Sequence, residues 1–264
     1  MEKSAQIISV VNQKGGVGKT TTVINLATAF ASLNNRVLVI DFDPQGNAST
    51  GLGLYHQDRT HNIYDVMIDR CAIKDAIFKT SIKNLFLIPS TVDLSACEVE
   101  LTNIENREFI LRDKLKLISA DYDYIIIDCP PSLGLLTINA LSSVNSILIP
   151  LQCEFFALEG LSHLLTTLDL IKTNLNPSLR ISGIMLTMHD RRNKLTEQVE
   201  NDVREFLQDM VYQSIVPRNV KLSEAPSYGV PALIYDPACS GSVAYVKLAK
   251  EIINKEKLYK HKSN

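Results

Sequence analysis

The chain reads as an α/β protein: a doubly wound, mostly parallel sheet with helices on both faces. Three observations predict this. Short apolar, β-branched runs alternate with helix-like runs from end to end, the pattern of strands joined by crossover helices. A glycine-rich segment separates the first such run from the first helix. Two apolar runs end in Asp, where a doubly wound sheet opens its ligand crevice.

The elements follow in order. Residues 7–11 suit a buried parallel strand, and 21–31 a helix. Strands follow at 36–41 (RVLVID) and 84–89 (NLFLIP), with short helices expected over 58–80. Phe109, Ile110, Leu115 and Ile118 are spaced for a helix over 105–118. YIIID ending at Asp128 and SILIPL at 146–151 are strands. A long amphipathic helix over 158–175 is stopped by Pro177. Residues 180–187 are a strand, 195–210 a helix, 212–216 a short strand and 242–258 a closing helix. With no repeat, linker or low-complexity tract, one domain spanning 1–264 is expected.

Bulk composition narrows the function. The 264 residues are 45% hydrophobic and 21% charged, ordinary for a globular chain with a sizeable core. The net charge is -2, so any nucleic-acid contact needs locally concentrated positive charge. Cys71, Cys97, Cys129, Cys153 and Cys239 include no pair with metal or redox spacing and read as reduced thiols. Residues 1–6 are polar and lack a signal-peptide shape. No apolar run approaches the roughly 20 residues that span a bilayer. A cytoplasmic location is expected.

Gln13-Lys14-Gly15-Gly16-Val17-Gly18-Lys19-Thr20-Thr21 lies between the first strand and the first helix. That context suits a phosphate-binding loop. Glycines let the backbone turn its N–H groups inward, and the helix N-terminus favours an anion. Lys19 offers a point charge to the β- and γ-phosphates, and Thr20 a hydroxyl to Mg²⁺. The strict loop pattern asks for Gly where Gln13 stands. Lys14, read alone, could be an ordinary solvated lysine.

Asp41-Phe42-Asp43-Pro44-Gln45-Gly46-Asn47 follows the second strand. Alternation along an extended chain puts Asp41 and Asp43 on one side, where one can serve the Mg²⁺ shell and the other orient water. The same residues are turn formers, and both readings hold together. In the segment from Ile125 to Ser132, an apolar strand ends at Asp128 and two prolines follow. This is the Walker B arrangement, in which the Asp holds Mg²⁺ through its waters.

KGGVGKTTT resembles the deviant Walker A motif of the ParA/MinD ATPases, and Gln13 before Lys14 is similar to the Soj/ParA branch. The DFDPQGN and DCPPS segments resemble that branch's switch I and switch II. HDRRNK and VPRNVKLSEAPSYG are similar to it as well, so the likeness runs from Ile7 to the closing helix. It implies a P-loop ATPase that partitions chromosome or plasmid DNA. Lys14 would reach across a dimer to the partner's nucleotide, and Asp43 would be needed for hydrolysis, giving a catalytic set of Lys14, Lys19 and Asp43. ATP would lie on Lys14, Gly15, Gly16, Val17, Gly18, Lys19, Thr20 and Thr21, with Pro217 and Asn219 near the adenine. Thr20, Asp43 and Asp128 would serve Mg²⁺. Arg192 and Lys221 match positions that bind DNA without sequence preference, and Arg191, Lys194 and Arg218 cluster with them. Clustered cations suffice for backbone phosphates, though loop cations are also ordinary surface.

The resemblance implies an ATP-dependent homodimer, non-specific double-stranded DNA and a ParB-type centromere-binding protein as partners, with a nucleoid-associated location. A MinD-like, membrane-associated cell-division ATPase is the alternative. The tail EIINKEKLYKHKSN is too polar for its membrane helix, so no stable membrane association is expected. A nitrogenase-type reductase or an iron–sulfur carrier would need suitably placed cysteines. A pure DNA-binding module with a vestigial loop would not keep Lys19, Thr20, Asp43 and Asp128.

Overall fold

The computed structural model describes residues 4–263, with side chains through Tyr259. The sequence readings at residues 1–3 and at the last side chains of the tail fall outside the described residues. The strands are β1 (Gln6–Val10), β2 (Val37–Asp41), β3 (Phe78–Lys79), β4 (Leu85–Ile88), β5 (Tyr124–Asp128), β6 (Ser146–Gln152), β7 (Arg180–His189) and β8 (Val211–Pro217). They form one sheet in the order β3-β4-β2-β5-β1-β6-β7-β8. Every neighbouring pair is parallel except β3 with β4.

All residues of β1, β2 and β5 are buried. Their side chains alternate between two cores. Ile7, Leu38, Ile40, Ile125 and Ile127 enter one; Ile8, Val10, Val37, Val39 and Ile126 enter the other. Burial on both faces explains why these strands are mostly apolar, with Gln6, Ser9, Asp41 and Asp128 the buried polar exceptions, and do not alternate with exposed polar residues. Helices Leu135–Ser143 and Ala157–Asn174 contribute to the first core. Helices Lys19–Ser32 and Ser240–Ser263 close the second.

The winding positions the site. From β1 the chain crosses to β2, β5 later returns between them, and β6 continues on the other side of β1. The crevice of a doubly wound sheet opens at such a reversal, outside the carboxyl ends of the strands. The register sets Val10 beside Asp128, and Asp41 beside Asp128, at that edge.

Several elements depart from the sequence reading. The helix expected over 105–118 is a 3-10 turn, Arg107–Phe109, followed by Ile110–Lys116. Asn106 is left-handed (φ 58°) and starts the chain afresh. Buried Asn139 then bonds both the Arg107 carbonyl (2.8 Å) and the Leu111 N–H (3.2 Å). The helix expected over 195–210 stops at Leu207, and Gln208–Met210 is a 3-10 turn. The short helix Ile63–Met67 expected within 58–80 is present, closed by an Asn62/Asp65 capping box. Strand β3 and helix Leu135–Ser143 were not anticipated. The first is two residues long, and the second is apolar around most of its circumference, so neither carries a legible period.

Phe30 fixes helix Lys19–Ser32 to the sheet. Its ring is fully buried and stacks on Tyr124 at 4.2 Å between centroids. Phe30→Ala should destabilise the fold by about 3–5 kcal/mol, read as a lower urea midpoint. A loss under about 1 kcal/mol would mean that the helix is held elsewhere.

Candidate functional site

The glycine-rich loop turns where Gly16 and Gly18 adopt φ 76° and 86°, values that disfavour a side chain. Helix Lys19–Ser32 begins immediately after, with no side-chain cap and no acidic residue in its first turn. Its first N–H groups therefore keep their affinity for an anion. Lys19 is buried, and its Nζ donates to the Lys14 carbonyl at 3.0 Å. Burial lowers its pKa, while Asp128 and Asp43 favour its charged form. A cleft of about 360 Å³ lies over the loop, with Lys19, Thr20, Asp43 and Pro131 in its walls.

Asp128 is wholly buried, and neither carboxylate oxygen has a well-formed hydrogen bond. Burial drives its pKa well above the usual carboxylate range. Asp41 and Asp43 add to the rise, and Thr20 and Lys19 oppose it. An unpartnered buried carboxylate beside a hydroxyl and a second carboxylate suits a hard cation with oxygen ligands. Among the described residues no group of three or more His, Cys, Asp or Glu forms a metal cage. Such a cation would therefore take further oxygens from phosphate and water, as Mg²⁺ does. The cysteines are all free, and burial pushes Cys97 and Cys129 up to about 12 and Cys153 to about 11.

Asp41 and Asp43 divide differently from the symmetrical pair that alternation suggests. The Asp41 carboxylate is fully buried and accepts from the Ser49 hydroxyl (2.6 Å) and N–H (2.7 Å). It anchors the loop, and burial lifts its pKa to about 6. Asp43 lines the cleft, with one oxygen accepting from Gln45 N–H at 3.0 Å. The Lys14 side chain is half exposed and ion-paired with Glu154 of the same chain.

A second cleft, about 220 Å³, shares Gly18, Thr21 and Met188 with the first and is walled by Pro217 and Asn219. Met188 sits between the two in a left-handed conformation (φ 50°) and has no motif to reveal it. A third and larger cleft, about 880 Å³, is lined by Arg191, Arg192 and Arg218. The sequence reading missed Lys247, which lines it from helix Ser240–Ser263. Two predicted cations are not brought there. Lys194 opens the next helix, and Lys221 pairs with Glu224 (3.0 Å) beside the Tyr235 ring. Arg192 forms a two-pronged pair with Asp190, at 2.9 and 2.8 Å, which holds the Asp190 carboxyl far below its usual range.

The fold and this loop define a P-loop ATPase. A family described as "AAA domain" matches residues 5–181. The chain is 52% identical over 254 residues to the chromosome partitioning protein ParA of Caulobacter vibrioides, covering 96% of this chain and 95% of that one. It is 50% identical over 247 residues to the sporulation initiation inhibitor protein Soj of Bacillus subtilis, covering 94% and 98%. A crystal structure from Mycobacterium smegmatis, described as cobyrinic acid a,c-diamide synthase with bound ADP and magnesium, superposes with TM-score 0.84. It is 31% identical and covers 96% of each chain. The chain belongs to the ParA/Soj family of chromosome-partitioning ATPases.

The raised Asp128 pKa has a thermodynamic signature. The nucleotide-free folded chain holds that proton more tightly than the unfolded chain does. Its contribution to stability is therefore full below the unfolded-state pKa and is lost as pH rises. Asp128→Asn should stabilise the nucleotide-free protein at pH 8 relative to the parent, because the amide carries no proton to lose. The gain should vanish in the acid range below about pH 4, near the unfolded carboxyl pKa. Urea midpoints at both pH values check it, and equal stability at pH 8 contradicts it.

Proposed function

We propose that the chain works as one domain that binds Mg-ATP, dimerises on it, holds DNA without sequence preference, and releases it on hydrolysis. The observation that carries this reading is the unpartnered, fully buried Asp128 carboxylate, within electrostatic reach of Lys19 and Asp43, which line the loop cleft. Lys19 and the loop N–H groups hold the β- and γ-phosphates. Thr20 and Asp128, with Asp43 beside them, hold Mg²⁺, which supplies neutralising charge at the phosphates. Asp43 orients the attacking water. Pro217 and Asn219 flank the adenine in the second cleft.

Lys14 is surplus in a one-subunit site because Lys19 already serves the phosphates. In the dimer it exchanges Glu154 for the partner's nucleotide. A ParB-type partner speeds hydrolysis, either by offering a basic side chain to the γ-phosphate or by ordering the switch loops. The nucleoid is then the expected location. The closing helix fits DNA better than a membrane anchor, because Tyr245, Leu248, Ala249 and Ile252 are buried against the rest of the chain. Among the described residues no helix is long and apolar enough to cross a membrane.

Asp43→Ala should bind ATP and remain a dimer, seen by light scattering. A monomer at tens of micromolar, roughly the weak end of specific association, opposes the dimer. The cognate ParB should raise the DNA-stimulated ATPase rate, and an unchanged rate opposes that partner.

DNA binding is tested by fluorescence anisotropy on unrelated duplexes over a salt series. Affinity should require ATP and fall with a slope of about -0.9 per neutralised phosphate. Arg192→Ala should weaken all duplexes alike and flatten that slope by about one to two units, since a dimer loses two copies. Asp190→Asn should tighten binding, because it releases Arg192 and removes a negative charge. Equal affinity in ATP and ADP would overturn the dimer-surface reading.

A further inference from the structure

Arg59 follows the 3-10 turn His56–Asp58 and is only 9% exposed. Its guanidinium runs back beneath the loop that carries Asp43. Nη1 donates to the Ser90 carbonyl at 2.7 Å. Nη2 donates to the Gly46 carbonyl (3.1 Å), the Thr50 hydroxyl (2.8 Å) and the Leu54 carbonyl (3.0 Å). Nε also reaches the Leu54 carbonyl, at 3.1 Å. A planar fork can serve several fixed carbonyls at once, which a lysine cannot do.

Gly46 is the point where this fork meets the Asp43 loop. Its N–H donates to the Asp43 carbonyl at 2.9 Å. Its own carbonyl accepts from Thr50 N–H (3.2 Å) and from Arg59. Gly46 has φ 65°, and a Cβ there would lie 2.2 Å from Arg59 Nη1. Arginine and loop are therefore in close contact with no room for a side chain between them. The far wall is Ser90 at the end of β4. Its carbonyl takes Arg59, and its N–H donates to the Ser49 hydroxyl at 3.1 Å, which in turn bonds Asp41. The loop is thus moored to Ser90 twice, once through Asp41 and Ser49 and once through Arg59.

We infer that Arg59 is a positioning residue for hydrolysis: it fixes the 43–50 loop so that Asp43 faces the phosphate cleft. Arg59 does not line that cleft, so it acts through Gly46 and Thr50 and not on the nucleotide. The inference rests on the assignment of Asp43 to hydrolysis made above. A loop misplaced by about 1 Å can cost up to about a hundredfold in rate without a change in binding.

The test compares Arg59→Met, Arg59→Lys, Thr50→Val and Asp43→Ala in the full chain. ATP affinity is read with a fluorescent analogue. Single-turnover hydrolysis is measured with duplex DNA and normalised to bound ATP, so that any unfolded fraction drops out. Arg59→Met should lower the normalised rate by about tenfold to a hundredfold with the dissociation constant unchanged. Arg59→Lys should recover part of the rate, and Thr50→Val should show a smaller drop in the same direction. Adding Arg59→Met to Asp43→Ala should cost nothing further.

If Arg59→Met and Thr50→Val hydrolyse bound ATP at the parent rate while Asp43→Ala does not, the inference is overturned and the Asp43 assignment stands. If Asp43→Ala also hydrolyses at the parent rate, the assignment falls and the inference with it. Parallel losses of affinity and rate would make Arg59 a packing residue and overturn the inference too. If Arg59→Met does not fold, Thr50→Val alone decides.

Discussion

Three carboxylates, Asp41, Asp43 and Asp128, and one ammonium group, Lys19, converge where three parallel strands end in a water-poor edge. Two of the carboxylates are fully buried. Burial shifts both Asp41 and Asp128 upward, and neighbouring like charges add to the rise. Lys19 is a single cation among them, and burial lowers its pKa while Asp128 and Asp43 favour its charged form. The nucleotide-free edge therefore carries an unmet demand for cationic charge. The divalent ion of a bound nucleotide would meet that demand, while its phosphates would satisfy the loop N–H groups and Lys19. Ligand binding and local stability are thus linked through the same few atoms.

The surroundings follow from keeping that edge in register. The β2 and β5 carboxylates are paired neighbours along the sheet, and the β1 loop rises beside them. Asp41 illustrates how a buried acid is made tolerable. It binds Ser49 twice, which folds the short helix Asn47–Gly51 back over the strand end. Asp43, two residues on, is left to face the cleft. Motif spacing treats the two acids as equivalents; the hydrogen bonds make one an anchor and leave the other available for chemistry.

Much of this was legible in the sequence because it is local. Strand–loop–helix order, glycines at positive φ and an Asp ending an apolar run are all features of consecutive residues. What escaped was set by distance. Glu154 lies 140 residues from Lys14, and Ser90 lies 31 from Arg59. Lys247 reaches the basic cleft only because the closing helix packs against β8. Lys221 matches a DNA-binding position by resemblance, but Glu224 lies one turn further along the same helix and pairs with it. Met188 has a left-handed backbone that no motif announces, and it separates the phosphate cleft from its neighbour.

The proposed nucleotide and DNA surfaces share a wall. The cleft walled by Asn219 and the basic cleft are not independent, for Pro217 and Arg218 line both. Arg218 N–H donates to the His189 carbonyl at 3.0 Å, tying the ends of β7 and β8 together. On its other side His189 leads directly into Asp190 and the Arg192 pair. Pro217 thus borders the second cleft while the next residue, Arg218, also lines the basic cleft. Coupling between two sites requires an element that both ligands bias. The Pro217–Arg218 step is the wall the two clefts share.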